Sequence, residues 1–365
     1  MILMNDFKAE PTELRAAMSA AAERVFASGW YVLGNELKAF ERAWAEACGS
    51  AHCVGVGNGM DAIELALRAM DIGPGAEVIT TPMTAFATVL AIIRAGARPV
   101  LADIEPESGL LSMDSVRRCL SERTRGVVLV HLYGQMRDMS GWVALCREAG
   151  IELIEDCAQS HLARWDGRPG GTFGAAGAYS FYPTKNLGAI GDGGALVTNS
   201  DALALRVGRL RNYGQSERYV HPELGMNSRL DELQAALLSE RLHWLDGFTA
   251  RRRSIAAQYD ATIKNSGIQL LAPPQQPHAH VRHLYVVRSA QRSELVQHLA
   301  SCGVQTLIHY PVPVHRQSPC AELRRDPQGL PNTEAHAETC LSIPCHPQMG
   351  ESDVAQVIEA VNAWR

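Results

Sequence analysis

The sequence predicts an α/β fold on a mixed, mostly parallel sheet, followed by a second, smaller α/β unit. Three observations carry this. Short apolar runs alternate with helical patterns through the first two-thirds of the 365 residues. Two further runs, Ala178–Phe181 and Gly194–Thr198, follow one another with no helix between them, and a long helical stretch then precedes a shorter strand–helix–strand–helix set. Strands buried on both faces need helical layers above and below, and strands joined by helices run parallel.

The runs Cys53–Val56, Glu77–Thr80, Arg98–Ala102, Gly126–Val130 and Ile151–Ile154 each read as buried strands. Between them Asp61–Met70, Ala85–Ala95, Ser115–Leu120 and Gly141–Ala149 carry helical spacing. Ala178–Phe181 and Gly194–Thr198 are expected to pair antiparallel within the same sheet. From Leu230 to about Ile263 the leucines step by three and four, which predicts one long helix. A Pro/Gln-rich loop, Ala272–His278, leads to a strand at His283–Arg288, a helix at Ser293–Cys302, a strand at Gln305–His309 and a last helix at Ser352–Trp364. The division is expected to fall at residues 1–245 and 246–365.

Composition narrows the function. A net charge of −5 with interspersed signs carries no basic stripe, which argues against a nucleic-acid footprint. The densest basic cluster, Arg251-Arg252-Arg253, lies in a helical pattern and is expected to face solvent. No segment approaches the roughly 20 apolar residues of a membrane span, and the first residues, with an acid at Asp6 and no long apolar core, are not expected to act as a signal peptide. Nine scattered cysteines without a C-x-x-C pair point to reduced thiols and a cytoplasmic protein.

Three pieces of the sequence carry chemistry. Val56-Gly57-Asn58-Gly59-Met60-Asp61 ends a strand, turns on glycine and opens a helix. Helix N-terminal amides bind anions and glycine lets a phosphate approach. The spacing is neither a dinucleotide fingerprint nor a P-loop; alone, it serves equally as a plain turn. Leu153-Ile154-Glu155-Asp156 then delivers acids at a strand end, where open α/β sheets hold their ligands. If Ile154 is buried, Asp156 shares its face and Glu155 points the other way. An inward carboxylate calls for a cationic partner, although a strand-end acid also caps helices. Lys185 follows twenty-nine positions later, between a short aromatic strand and a glycine-rich run, with no acid beside it in sequence. A lysine amine becomes a nucleophile once desolvation lowers its pKa. Pyridoxal phosphate needs all three: a lysine to condense with, a carboxylate against its ring nitrogen, and a phosphate cradle.

The runs "GNGMDAIELAL", "HLYGQ", "IEDCAQSH", "SFYPTKNLGAIGDGGALVTN", "RNYG" and "GMNSRLDELQAA" resemble the DegT/DnrJ/EryC1/StrS sugar aminotransferases, and the resemblance extends from Ser28 to Met349. It implies the fold-type-I aminotransferase architecture, with a seven-stranded mixed sheet in the large domain, and a homodimer whose active sites lie at the subunit interface. It places Lys185 on the cofactor-binding lysine, Asp156 on the acid at the ring nitrogen, Gln159 on the amide near the ring hydroxyl and Ser180 on the phosphate-binding hydroxyl. Asn58, Gly59 and Met60 fall on the phosphate turn, and Asn227 on an asparagine reaching the phosphate from the partner subunit. The sequence departs from the family where Met60 replaces a small hydroxyl residue. It departs again at Thr84-Ala85-Phe86, where the stacking aromatic, if it is Phe86, stands one place late.

"SFYPTKNLGAIGDGG" and "LIHYPVPVH" look like the branch that aminates C3 of nucleotide-linked 3-keto-6-deoxyhexoses, usually on dTDP, with glutamate as donor and pyridoxamine phosphate as the intermediate form. In that branch Tyr182, His309 and Tyr310 are substrate-side groups, each of which also reads as an ordinary packing residue, as does His161. The alternatives are a C4 aminotransferase on a 4-keto sugar and a non-catalytic regulatory protein on the same scaffold. A deoxygenating relative would carry histidine in place of Lys185.

Overall fold

The computed structural model describes residues 1–365. Thirteen strands occur along the chain. They are β1 His52–Val56, β2 Glu77–Thr80, β3 Arg98–Leu101, β4 Thr124–Val130, β5 Glu152–Asp156, the small hairpin β6 Arg164–Trp165 and β7 Arg168–Pro169, β8 Ala176–Ser180, β9 Gly194–Thr198, β10 Gln269–Leu270, β11 Tyr285–Arg288, β12 Arg324–Arg325 and β13 Cys340–Ile343. Eight form the main sheet in the order β1-β9-β8-β5-β4-β2-β3-β12. β9 alone runs against its neighbours β1 and β8, as the two adjacent runs predicted. The sheet has eight strands rather than seven because β12, only two arginines long, crosses from the C-terminal part to pair with β3. Two charged residues leave no apolar pattern to read.

Helices cover both faces. On one, Ile63 and Leu67 of the helix Gly59–Ala69 and Ile92 of the helix Phe86–Arg94 pack on Val56, Val128, Ile154 and Leu196. On the other, Trp142 and Leu145 of the helix Met139–Ala149 pack on Val127, Leu129 and Leu153. Near β8 and β9 the layer is aromatic, with Phe40, Trp44, Tyr179 and Phe181. Each CH₂ withdrawn from water in such layers contributes about 0.8 kcal/mol.

The expected helix Leu230–Ile263 is two helices, Glu232–Leu242 and Leu245–Thr262. Leu238 packs under the main sheet, whereas Ile255 and Tyr259 belong to the C-terminal core. His243 and Trp244, between them, keep right-handed helical backbone angles. The break therefore has no glycine or proline to announce it. The C-terminal unit holds a three-stranded antiparallel sheet, β10-β11-β13, with Ile2 joined to its core. The expected strand Gln305–His309 is not one: only Leu307 bridges to Ser342 of β13. Arg252, expected at the surface, is buried and donates to the carbonyls of His283 and Cys345. No helix is long and apolar enough to cross a membrane.

Candidate active site

β4, β5 and β8 run parallel, so Asp156 and Ser180 lie together at the carboxyl ends of the central strands. The pleat separates the two acids of β5 as expected. Glu155 is fully buried on one face, where it accepts from His131 Nε2 at 2.9 Å and from the amides of Gly171, Phe173 and Gly174 at 2.8, 2.7 and 3.0 Å. Burial works against its charge, but these donors outweigh burial and hold its pKa below the ordinary range. Asp156 lies on the face of Ile154. There Thr88 Oγ1 donates to Oδ2 at 2.8 Å and the Ala158 amide to Oδ1 at 3.1 Å. Thr84 and Thr88 are hydrogen-bonded at 2.9 Å. Because Thr88 gives its proton to Asp156, Thr84 is the donor in that pair.

Lys185 sits in the loop from β8 to β9. A turn from Lys185 N–H to Tyr182 O, 2.8 Å, aims the residue inward. The following Asn186 is pinned by its bonds to the Val281 carbonyl and to His283. A Cβ on Gly188 would strike the Pro183 carbonyl, so only glycine closes this loop. Desolvation lowers the Lys185 pKa from 10.5 to about 8, against the attraction of Asp156, which raises it. The opposing pull of Asp156 places the acid and the amine within electrostatic reach of each other.

The glycine turn completes the arrangement. Asn58 caps the helix Gly59–Ala69, its Oδ1 accepting from the Asp61 amide at 2.8 Å. The first amides of that helix, at Gly59 and Met60, have no intrahelical acceptor. A Cβ on Gly59 would lie 2.7 Å from Ser180 Cβ, and one on Gly194 would strike the Asn58 carbonyl. The helix end and the Ser180 hydroxyl thus meet at one spot. Ser228 fastens the turn, accepting from the Gly57 amide and donating to Asp61 at 2.7 Å.

Residues 12–362 match the DegT/DnrJ/EryC1/StrS aminotransferase family. The chain belongs to that family. It is 45% identical over 98% of its length to a dTDP-3-amino-3,4,6-trideoxy-alpha-D-glucose transaminase of Streptomyces venezuelae, covering 95% of that protein. It is 44% identical over 98% of its length to the erythromycin biosynthesis sensory transduction protein EryC1 of Saccharopolyspora erythraea, covering 98% of it. Among solved structures it superposes with a TM-score of 0.95 on S. venezuelae DesV in complex with a ketimine intermediate, at 43% identity, over 100% of this chain and 98% of that one.

Pyridoxal phosphate is the cofactor of these aminotransferases, and the residues present fit it. A half-buried lysine of lowered pKa feels the charge of a carboxylate, and a helix end packed on Ser180 carries glycine, which leaves room for an anion. Gln159 is buried and takes the Tyr133 amide on Oε1 at 2.6 Å, which fixes the orientation of the carboxamide, and its Nε2 donates to Tyr310 Oη at 3.3 Å. His309 Nδ1 bonds Ser342 Oγ at 2.8 Å, and burial lowers its pKa to about 4.

The departures from the family pattern have physical counterparts. The Met60 side chain packs against the core, which leaves only its amide for the turn. Phe86 opens its helix and is 37% exposed. Tyr182 is 53% exposed, and Asn227 is exposed on a segment bridged to Asn212. His161 is enclosed by the rings of Trp44, Tyr179 and Phe181, and burial lowers its pKa to about 3. The sequence assigns no role to Thr84, Thr88 or Ser228, although all three lie in runs that it singles out. The four-residue step from Thr84 to Thr88 at a helix start was the available signal.

Proposed function

We propose that this aminotransferase moves the amino group of glutamate to C3 of a dTDP-linked 3-keto-6-deoxyhexose, acting as a homodimer with shared sites. The carrying observation is the Lys185 amine, whose pKa desolvation lowers to about 8 within the charge influence of Asp156, on the loop that follows Ser180, which itself packs against Gly59. When bound, pyridoxal phosphate supplies an electron sink for the donor's α-carbon. Ser180 and the amides of Gly59 and Met60 hold the phosphate, joined by the partner subunit's Asn227. Asp156, steadied by Thr88 and the Ala158 amide, would keep the ring nitrogen protonated. Gln159 would donate to the ring oxygen, and Phe86 would cover the ring. Lys185 Nζ, once neutral, would take the proton from the donor's α-carbon and hand it on along the same face, the side on which the amine itself lies. Tyr182, His309 and Tyr310 contact the sugar.

C3 is supported by the name of the Streptomyces relative and by the "SFYPTKNLGAIGDGG" and "LIHYPVPVH" runs. Nine free thiols, seven of them buried, favour the cytoplasm, and the passage from Leu245 into the C-terminal core supports the boundary at 245/246. The name of the EryC1 relative favours a second reading, a regulatory protein. Against it stands the lysine, since a scaffold without chemistry has no need of a desolvated amine.

The test is turnover of glutamate with 3-keto and 4-keto nucleotide sugars, by wild type and Lys185→Ala. Amination of the 3-keto sugar is expected, with none by the variant. Preference for the 4-keto sugar refutes the C3 assignment; a colourless protein that borohydride leaves unchanged and that aminates neither sugar refutes the enzyme.

A further inference from the structure

Tyr133 has no part in the chemistry above, yet it joins both sides of the site. It lies just beyond β4, with φ at 61°, a conformation rare for a bulky residue and kept only where its surroundings demand it. In that conformation its amide reaches Gln159 Oε1 at 2.6 Å while its hydroxyl donates to the His309 carbonyl at 2.6 Å. A phenol has one proton to give. The 2.9 Å contact between this hydroxyl and His336 Nε2 is therefore an imidazole N–H donating to the tyrosine oxygen. Burial keeps His336 neutral, its pKa lowered to about 4, and its Nδ1 has no partner. The ring lies buried among Met83, Leu132 and Leu284, where phenylalanine would fill the same space. Packing alone thus leaves the hydroxyl unexplained.

The two ends of this link meet again. Gln159, its carbonyl occupied by Tyr133, donates to Tyr310, the neighbour of His309. Tyr310, accepting there, keeps its own proton to give. We propose that Tyr133 is a positioning residue. Its backbone sets the donor direction of Gln159 and its side chain holds the His309–Tyr310 segment, so the amide on the cofactor side and the hydroxyl on the sugar side keep a fixed separation. This rests on the assignment of Gln159 and Tyr310 made under the proposed function.

The test compares Tyr133→Phe, Tyr310→Phe and the double variant as holoenzymes. Tyr133→Phe keeps the amide and the volume and removes only the hydroxyl. Its KM for the keto sugar is expected to rise about ten-fold, the factor one hydrogen bond typically supplies, with kcat within about three-fold. Bleaching of the visible cofactor band by glutamate alone should proceed at the wild-type rate. The double variant should be no worse than Tyr310→Phe, because Tyr133 acts through that segment. Calorimetric binding of a dTDP-linked 6-deoxyhexose should weaken by the same factor as KM. A purely structural role would lower melting temperature or active fraction and leave KM alone; an unchanged KM, or additive effects in the double variant, overturns the proposal. If Tyr133→Phe fails to fold, His336→Leu, which removes the N–H feeding the tyrosine oxygen, must raise KM in the same direction. Failure of the wild type to aminate the keto sugar sinks the functional reading and this inference with it; a working wild type with an unchanged variant sinks the inference alone.

Discussion

The lowered pKa of Lys185 makes a quantitative demand on the apoprotein. With a pKa of about 8, about one-tenth of the amine is neutral at pH 7 and about nine-tenths at pH 9. The rate of condensation with added pyridoxal phosphate should therefore rise about ten-fold between those values and level off. A lysine at its ordinary 10.5 would be neutral in only about 0.03% of molecules at pH 7 and would still be climbing steeply at pH 9. The assay is the appearance of the visible band on mixing apoprotein with the aldehyde across a pH series. Asp156→Asn removes the charge that props the pKa up, so its midpoint should move to lower pH. The same shift appears as stability. Between the folded pKa near 8 and the unfolded 10.5 the unfolded chain binds more protons, so this group's penalty is complete below about pH 8 and fades as pH rises through 10.5. Lys185→Met should thus stabilise the apoprotein at pH 7, by up to about 3 kcal/mol, and by little near pH 10.5. A midpoint near 10.5, or a destabilised methionine variant, would refute the argument.

Other substitutions test the neighbouring contacts. Gly59→Ala places a Cβ 2.7 Å from Ser180 Cβ and should weaken cofactor binding by about ten-fold or more, measured by equilibrium dialysis. Gly208→Ala, in a helix with nothing within 4 Å, should leave binding alone and raise stability by about 0.5–1 kcal/mol. Thr88→Val takes a donor from a buried carboxylate oxygen and should cost about 1–3 kcal/mol in holoenzyme stability by denaturant titration. Glu155→Gln exchanges an ion held by His131 and three amides for a group that must turn two N–H donors toward them, a loss of about 3–5 kcal/mol. Because the folded pKa of Glu155 is depressed, its contribution is complete above the unfolded carboxylate range near pH 4.3. It fades as pH falls through the folded value, and a variant curve parallel to wild type in acid would contradict this.

The chain order of residues was enough to predict the layered fold, the antiparallel pair at β8 and β9, and the trio of glycine turn, strand-end acid and lysine. Each of these is a local event: a run of aliphatics, a pleat that sends Asp156 and Glu155 to opposite faces, a loop closed by glycine. Packing between distant segments settled the rest. β12 is a strand only because β3 offers it an edge, and the helix break at His243–Trp244 exists because Leu238 and Ile255 serve different cores. Arg252 faces inward because two carbonyls from remote loops receive it. The amine of Lys185 owes its lowered pKa to desolvation by surroundings drawn from separate parts of the chain, and Tyr133 touches Gln159 and His309 across separations of 26 and 176 residues. Periodicity reports only what neighbours in sequence share; desolvation and long-range hydrogen bonds arise when the chain closes on itself.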